Sequence, residues 1–85
     1  MSTSRANKQF GQAVRGRRKA LTLSQAQTCD LAGVGLAFLY ELERGKPTVR
    51  LDKVLEVLQV LGLGLQLCDS KEALSVKPPG EELGQ

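Results

Sequence analysis

Two glycines, Gly33 and Gly45, cut the stretch from Ser24 to Lys46 into two pieces, each of a length for one short helix. Ser24 offers a side-chain oxygen to the free N–H groups of a helix running through Leu31 or Ala32, and Gly33 supplies the left-handed stop. After Val34 the second piece runs through Leu36, Leu39, Leu42 and Glu43 to Arg44, ended by Gly45 and the downstream Pro47. The link between the pieces is about three residues long, so the second helix must pack close to the first.

The flanking segments supply what the pair leans on. Phe10, Val14 and Leu21 stand at offsets of one and two turns, predicting one face of a helix from roughly residue 7 to 21. Arg17 and Arg18 interrupt that stripe, so one of them must leave the core face or enter it with a partner. Thr22 to Ser24 reads as a turn. Thr48 is the expected cap of a fourth helix whose stripe is Leu51, Val54, Leu55, Leu58 and Leu61, ending at Gly62. Val57 and Val60 lie outside that stripe, which predicts a second buried side. From Leu63 the period changes: Leu63, Leu65 and Leu67 alternate with Gly64, Gln66 and Cys68, a strand pattern. A lone strand leaves its backbone groups unpaired. Two-fold dimerisation through Val57, Val60, Leu63, Leu65 and Leu67 is the simplest resolution, against a frayed apolar tail packed on its own domain. The expected organisation is a flexible basic arm over 1–6, a helical domain over 7–62, a dimerisation strand over 63–69 and a disordered tail over 70–85. The fold class is all-α, four to five helices plus one C-terminal strand pairing across a dimer.

Composition narrows the chemistry. Eighty-five residues, 41% of them hydrophobic, close one small core. With no His and no Trp, most His-dependent catalysis is excluded. Cys29 and Cys68 have no CxxC or Cys/His spacing, so no metal site, cofactor or disulfide framework is expected. Gly33-Val34-Gly35 and Gly62-Leu63-Gly64 are only fragments of a dinucleotide fingerprint, so an enzyme is not expected. No apolar run approaches a membrane span, and a cytoplasmic, nucleoid-associated protein is the expectation. Net charge is only +3, but residues 1 to 19 hold six bases and no acid, while the rest holds six bases against nine acids. That asymmetry suggests a polyanionic partner as much as a solvated helix face.

Two short helices about a glycine turn are the makings of a helix-turn-helix, a geometry common among helix pairs. The residues Ser24-Gln25-Ala26, Leu31-Ala32-Gly33-Val34 and Glu41-Leu42-Glu43-Arg44-Gly45-Lys46 resemble the phage-repressor-like (Xre, Cro-type) helix-turn-helix family over roughly residues 8 to 62. Within it the chain resembles the HipB-type antitoxins, because helix four is followed by a strand with Leu-Gln-Leu-Cys-Asp-Ser-Lys at 65 to 71. The resemblance implies that Arg18 and Glu43 form a buried pair, which keeps both off any DNA-contact set. It also implies that Gly35, Leu36, Ala37, Tyr40 and Glu41 hold the base-reading positions. Those positions contain no Arg, Lys, Asn or Gln for a bidentate base contact. Leu36 and Ala37 suit thymine methyls, Glu41 suits cytosine N4, and Tyr40 a phosphate or base edge. Thr28 replaces the leucine, and Cys29 the alanine, usual at their places.

Ser24 and Gln25 stand at a helix start, where N–H groups and the dipole favour a phosphate. Arg44, Lys46 and Arg50 cluster past the third helix, and Arg15, Arg17 and Lys19 add basic candidates from the first. The resemblance implies a homodimer binding double-stranded operator DNA, repressing its own operon and holding a HipA-type kinase toxin inactive, with no membrane partner. Two alternatives stand beside it. One is a stand-alone repressor; the other is a protein-interaction module presenting Leu36, Phe38 and Tyr40 as a binding patch.

Overall fold

A computed structural model describes residues 2–67, Asp69 and Val76–Lys77. Four helices follow in order: α1 (Ser2–Ala20), α2 (Gln25–Ala32), α3 (Leu36–Arg44) and α4 (Leu51–Val60). The short strands β1 (Gly64–Leu65) and β2 (Val76–Lys77) pair antiparallel, Gly64 opposite Lys77 and Leu65 opposite Val76. Helix α1 packs on α3, and α2 packs on both α3 and α4.

Local chemistry accounts for most of the boundaries. Ser24 caps α2 in a reciprocal box: its hydroxyl accepts from the Gln27 backbone N–H, and the Gln27 side chain accepts from the Ser24 N–H. Gly33 and Gly45 end α2 and α3 at φ of 72° and 90°, a conformation that costs a side-chain-bearing residue strain. Between α1 and α2, Leu23 N–H donates to the Arg18 carbonyl, closing the expected turn. Gly11, inside α1, sits where an added Cβ would lie 2.4 Å from the Leu42 carbonyl oxygen. This glycine lets α1 lie directly on the backbone of α3.

The core is Val14, Cys29, Ala32, Leu39, Leu42, Val54, Val57, Leu58 and Leu61, with Phe10, Leu23, Val34, Phe38, Val60 and Leu63 packed around it. Truncating a fully enclosed member such as Leu39 to alanine costs about 2–5 kcal/mol. Thr28, also fully buried, spends its hydroxyl on the Ser24 carbonyl at 2.9 Å, so no polar group is stranded by the replacement of an apolar residue there.

Several expectations are corrected. The arm expected over 1–6 is helix from Ser2 onward, because nothing between Ser2 and Phe10 breaks the helical run. On α1 the inward positions are Phe10, Gly11, Val14 and Arg18, while Leu21 lies past the helix end and is exposed. Helix α4 is capped from Arg50, not Thr48, with no side-chain cap. Its inner stripe is Val54, Val57, Leu58 and Leu61, while Leu51 and Leu55 face outward, 61% and 45% exposed. Val57 is therefore enclosed by its own chain and is not available to a second copy. The strand expected to pair across a dimer pairs within the chain along one edge, because Val76–Lys77 returns alongside Gly64–Leu65. That return also replaces part of the tail expected to be disordered over 70–85; its other residues, and Cys68, lie outside the described ones.

Candidate nucleic-acid interface

The N-terminus of α2 and the outward face of α3 meet beside Arg18 and Glu43. Glu43, buried on α3, receives Arg18 Nε at 2.6 Å on Oε2 and Arg18 Nη2 at 3.0 Å on Oε1. Arg18 Nη1 completes its fork on the Leu23 carbonyl at 2.8 Å. The hydrogen bond to Glu43 raises the Arg18 pKa above its ordinary value, outweighing the opposing effect of burial. Gln25 Nε2 then donates to Glu43 Oε1 at 3.1 Å. The buried pair thus ties α1 to α3 and also orients Gln25 at the start of α2, leaving one amide hydrogen and the amide oxygen of Gln25 for an outside partner.

Over this network lies an open cleft of about 600 Å³ lined by Arg15, Arg18, Ser24, Gln25, Tyr40, Glu43 and Arg44. Five of the sequence-derived DNA candidates meet here: Arg15, Ser24, Gln25, Tyr40 and Arg44. The charge of Arg18 is matched by Glu43, whereas Arg15 and Arg44 have no carboxylate within ion-pair distance among the described residues. Arg44 lies 5.4 Å from the Tyr40 ring centroid, and its Nη1 donates to the Tyr40 hydroxyl at 3.2 Å. The cleft therefore carries uncompensated positive charge beside backbone N–H groups and side-chain donors, a surface suited to a phosphate oxygen.

A second cleft, about 370 Å³, shares Tyr40 and Arg44 and adds Glu41, Gly45 and Lys46. Lys46 Nζ stands 3.0 Å from Glu41 Oε1, both side chains about half exposed. Gly35, Leu36, Ala37, Tyr40 and Glu41 are all exposed along α3, so the face that would read bases is open.

Three candidates sit apart from this grouping. Arg17 is half-buried and donates through Nε to the Leu61 carbonyl at 2.9 Å, so it anchors the end of α4, and it lines neither cleft. Arg50 is engaged by Asp52 at 2.7 Å, and its guanidinium holds that carboxyl below the usual carboxylate range. Lys19 is exposed near the end of α1 and lines neither cleft. Phe38 is half-buried against the core with Lys53 Nζ 5.7 Å from its ring centroid, so the expected patch of Leu36, Phe38 and Tyr40 loses its central member.

Two further residues, Asn7 and Gly11, frame this surface. Asn7 Nδ2 donates to the Lys46 carbonyl at 3.2 Å and pins the loop after α3 to α1. Gly11 sets the depth of α1 on α3. A glycine inside a helical pattern is a signal of close backbone approach, and it was present to be read; an exposed asparagine gives no comparable signal.

The fold and the open α2–α3 face define a DNA-binding helix-turn-helix protein of the transcription-regulator class. A family model described as a helix-turn-helix domain matches residues 9–70, and the chain belongs to that family. It is similar to y4mF, an uncharacterized HTH-type transcriptional regulator of Sinorhizobium fredii, being 47% identical over 58 residues, 68% of this chain and 76% of the relative. In fold it is similar to a solved structure named MDT Protein, with a TM-score of 0.70 at 23% identity over 75% of this chain and 90% of that one. It is similar also to a chain of a HipB-O1-O2 complex, with a TM-score of 0.69 at 24% identity over 74% and 91% respectively. Among the described residues no helix is long and apolar enough to cross a membrane.

Proposed function

We propose that this chain is a dimeric, cytoplasmic repressor that grips operator DNA with α2 and α3 and serves as the antitoxin of a HipA-type kinase toxin. The observation that carries the DNA part is the cleft in which Arg15 and Arg44, without carboxylate partners, flank the capped start of α2 and the braced Gln25. A phosphate seated there would meet charge, N–H groups and an oriented amide together. The α3 face beyond it would enter the major groove, with Leu36 and Ala37 against thymine methyls and Tyr40 and Glu41 at polar base edges.

The fold shared with the HipB chain supports the antitoxin part. Dimerisation is supported by the exposed leucines of α4, Leu51 and Leu55, and of β1 and the residues after it, Leu65 and Leu67, which replace the buried Val57 in that role. Affinity purification of the chain from its native host, with bound nucleic acid sequenced and bound protein identified, tests the whole reading. Recovery of a promoter fragment and a kinase-like protein is expected. A promoter fragment alone would leave a stand-alone repressor, and neither would overturn the proposal.

A further inference from the structure

Of the five expected base-reading positions, Gly35, Leu36, Ala37, Tyr40 and Glu41, all exposed, only Tyr40 and Glu41 carry hydrogen-bonding side chains. A carboxylate there is poorly matched to DNA: any gain from accepting a cytosine amine is opposed by repulsion from the phosphates that line the groove. The structure supplies a remedy within the same turn. Gly45, in the left-handed conformation, folds the chain back so that the Lys46 N–H donates to the Glu41 carbonyl at 3.0 Å. The Lys46 ammonium then meets the Glu41 carboxylate at 3.0 Å. Lys46 is thus held on Glu41 at both backbone and side chain. Its own carbonyl is held by Asn7 from α1, and the space behind Gly45 is filled by Lys8, 2.7 Å from where a Cβ would stand. The register between Lys46 and Glu41 is therefore a built feature of the helix end.

We infer that Lys46 is a positioning residue for base reading: it neutralises Glu41 and aims Glu41 Oε2 at a base-edge amine, and it is not a phosphate contact. This rests on the DNA-binding reading above. Glu41 Oε1 is taken by Lys46, and Oε2 is left to accept from the cytosine N4 amine, the major-groove donor of a G·C pair. Without Lys46 the carboxylate would enter the groove bare.

The test uses the full chain and a duplex selected on it from a randomised pool, with single base-pair variants of that duplex. Binding of the parent, Lys46→Ala, Lys46→Arg, Glu41→Gln and the double variant Lys46→Ala/Glu41→Gln is measured across salt concentrations, after melting curves show each folded. Lys46→Ala is expected to weaken binding about ten-fold and relax preference at the same base pair as Glu41→Gln. Lys46→Arg should restore both, and the double variant should bind better than Lys46→Ala alone, since the bare charge is gone. A uniform loss over all duplexes in Lys46→Ala, with a salt slope smaller by about one and losses that add in the double variant, marks a phosphate contact and overturns the inference. A parent chain that selects no duplex overturns the DNA-binding reading itself, and the inference with it.

Discussion

Glu43 accepts three hydrogen bonds, two from Arg18 and one from Gln25, in a site almost closed to water. Removing it strands the Arg18 guanidinium in the core and releases Gln25. Glu43→Ala is therefore expected to cost about 3–5 kcal/mol, lowering Tm by well over ten degrees in a thermal melt followed by circular dichroism. An unchanged Tm would mean that the pair contributes nothing. Cys29 gives a second residue-scale expectation. Burial, with a further push from Asp30 and Glu43, raises its thiol pKa. The folded chain then holds this proton to higher pH than the unfolded chain. The associated stability is present below the ordinary thiol pKa of about 8.5 and is lost as pH rises through the raised value. In a Cys68→Ser background, denaturant midpoints should fall more steeply as pH is raised above the ordinary thiol pKa than in the same background with Cys29→Ala.

At the scale of elements, two glycines in one helix separate intrinsic propensity from packing. Gly16 in α1 has open space where a Cβ would be, whereas Gly11 has the α3 backbone there. Gly16→Ala is expected to stabilise by about 0.5–1 kcal/mol, and Gly11→Ala to destabilise despite the same gain in helix propensity, since α1 must move off α3. Opposite shifts in Tm check this. The same scale shows what was legible beforehand. Ser24, Gly33 and Gly45 announced the bounds of α2 and α3, because caps and left-handed stops are local chemistry. The Arg18–Glu43 pair was legible only through family resemblance. On α4 the apolar residues fit two overlapping stripes, and only the arrangement of α1, α2 and α3 decides that Val57 goes in while Leu51 and Leu55 stay out. The structural bond of Arg17 is illegible for a related reason: a basic residue gives no sign that its partner will be a main-chain carbonyl far along the chain, that of Leu61.

For the whole molecule, the uneven charge of the sequence becomes a geometric one. Arg18 and Arg17 are spent on the fold, Lys46 and Arg50 are held by their own carboxylates, and Arg15 and Arg44 are left on the rim of the cleft that Ser24 and Gln25 close. The most direct test is a fluorescence-anisotropy titration of duplex DNA with the parent chain and with Arg15→Ala/Arg44→Ala at a series of salt concentrations. The account predicts a complex with the parent whose log affinity falls linearly with log salt, and a slope smaller by about two in the double variant, with Tm unchanged. The same affinity and slope in both proteins, or no complex with the parent at about 50 mM salt, would contradict it.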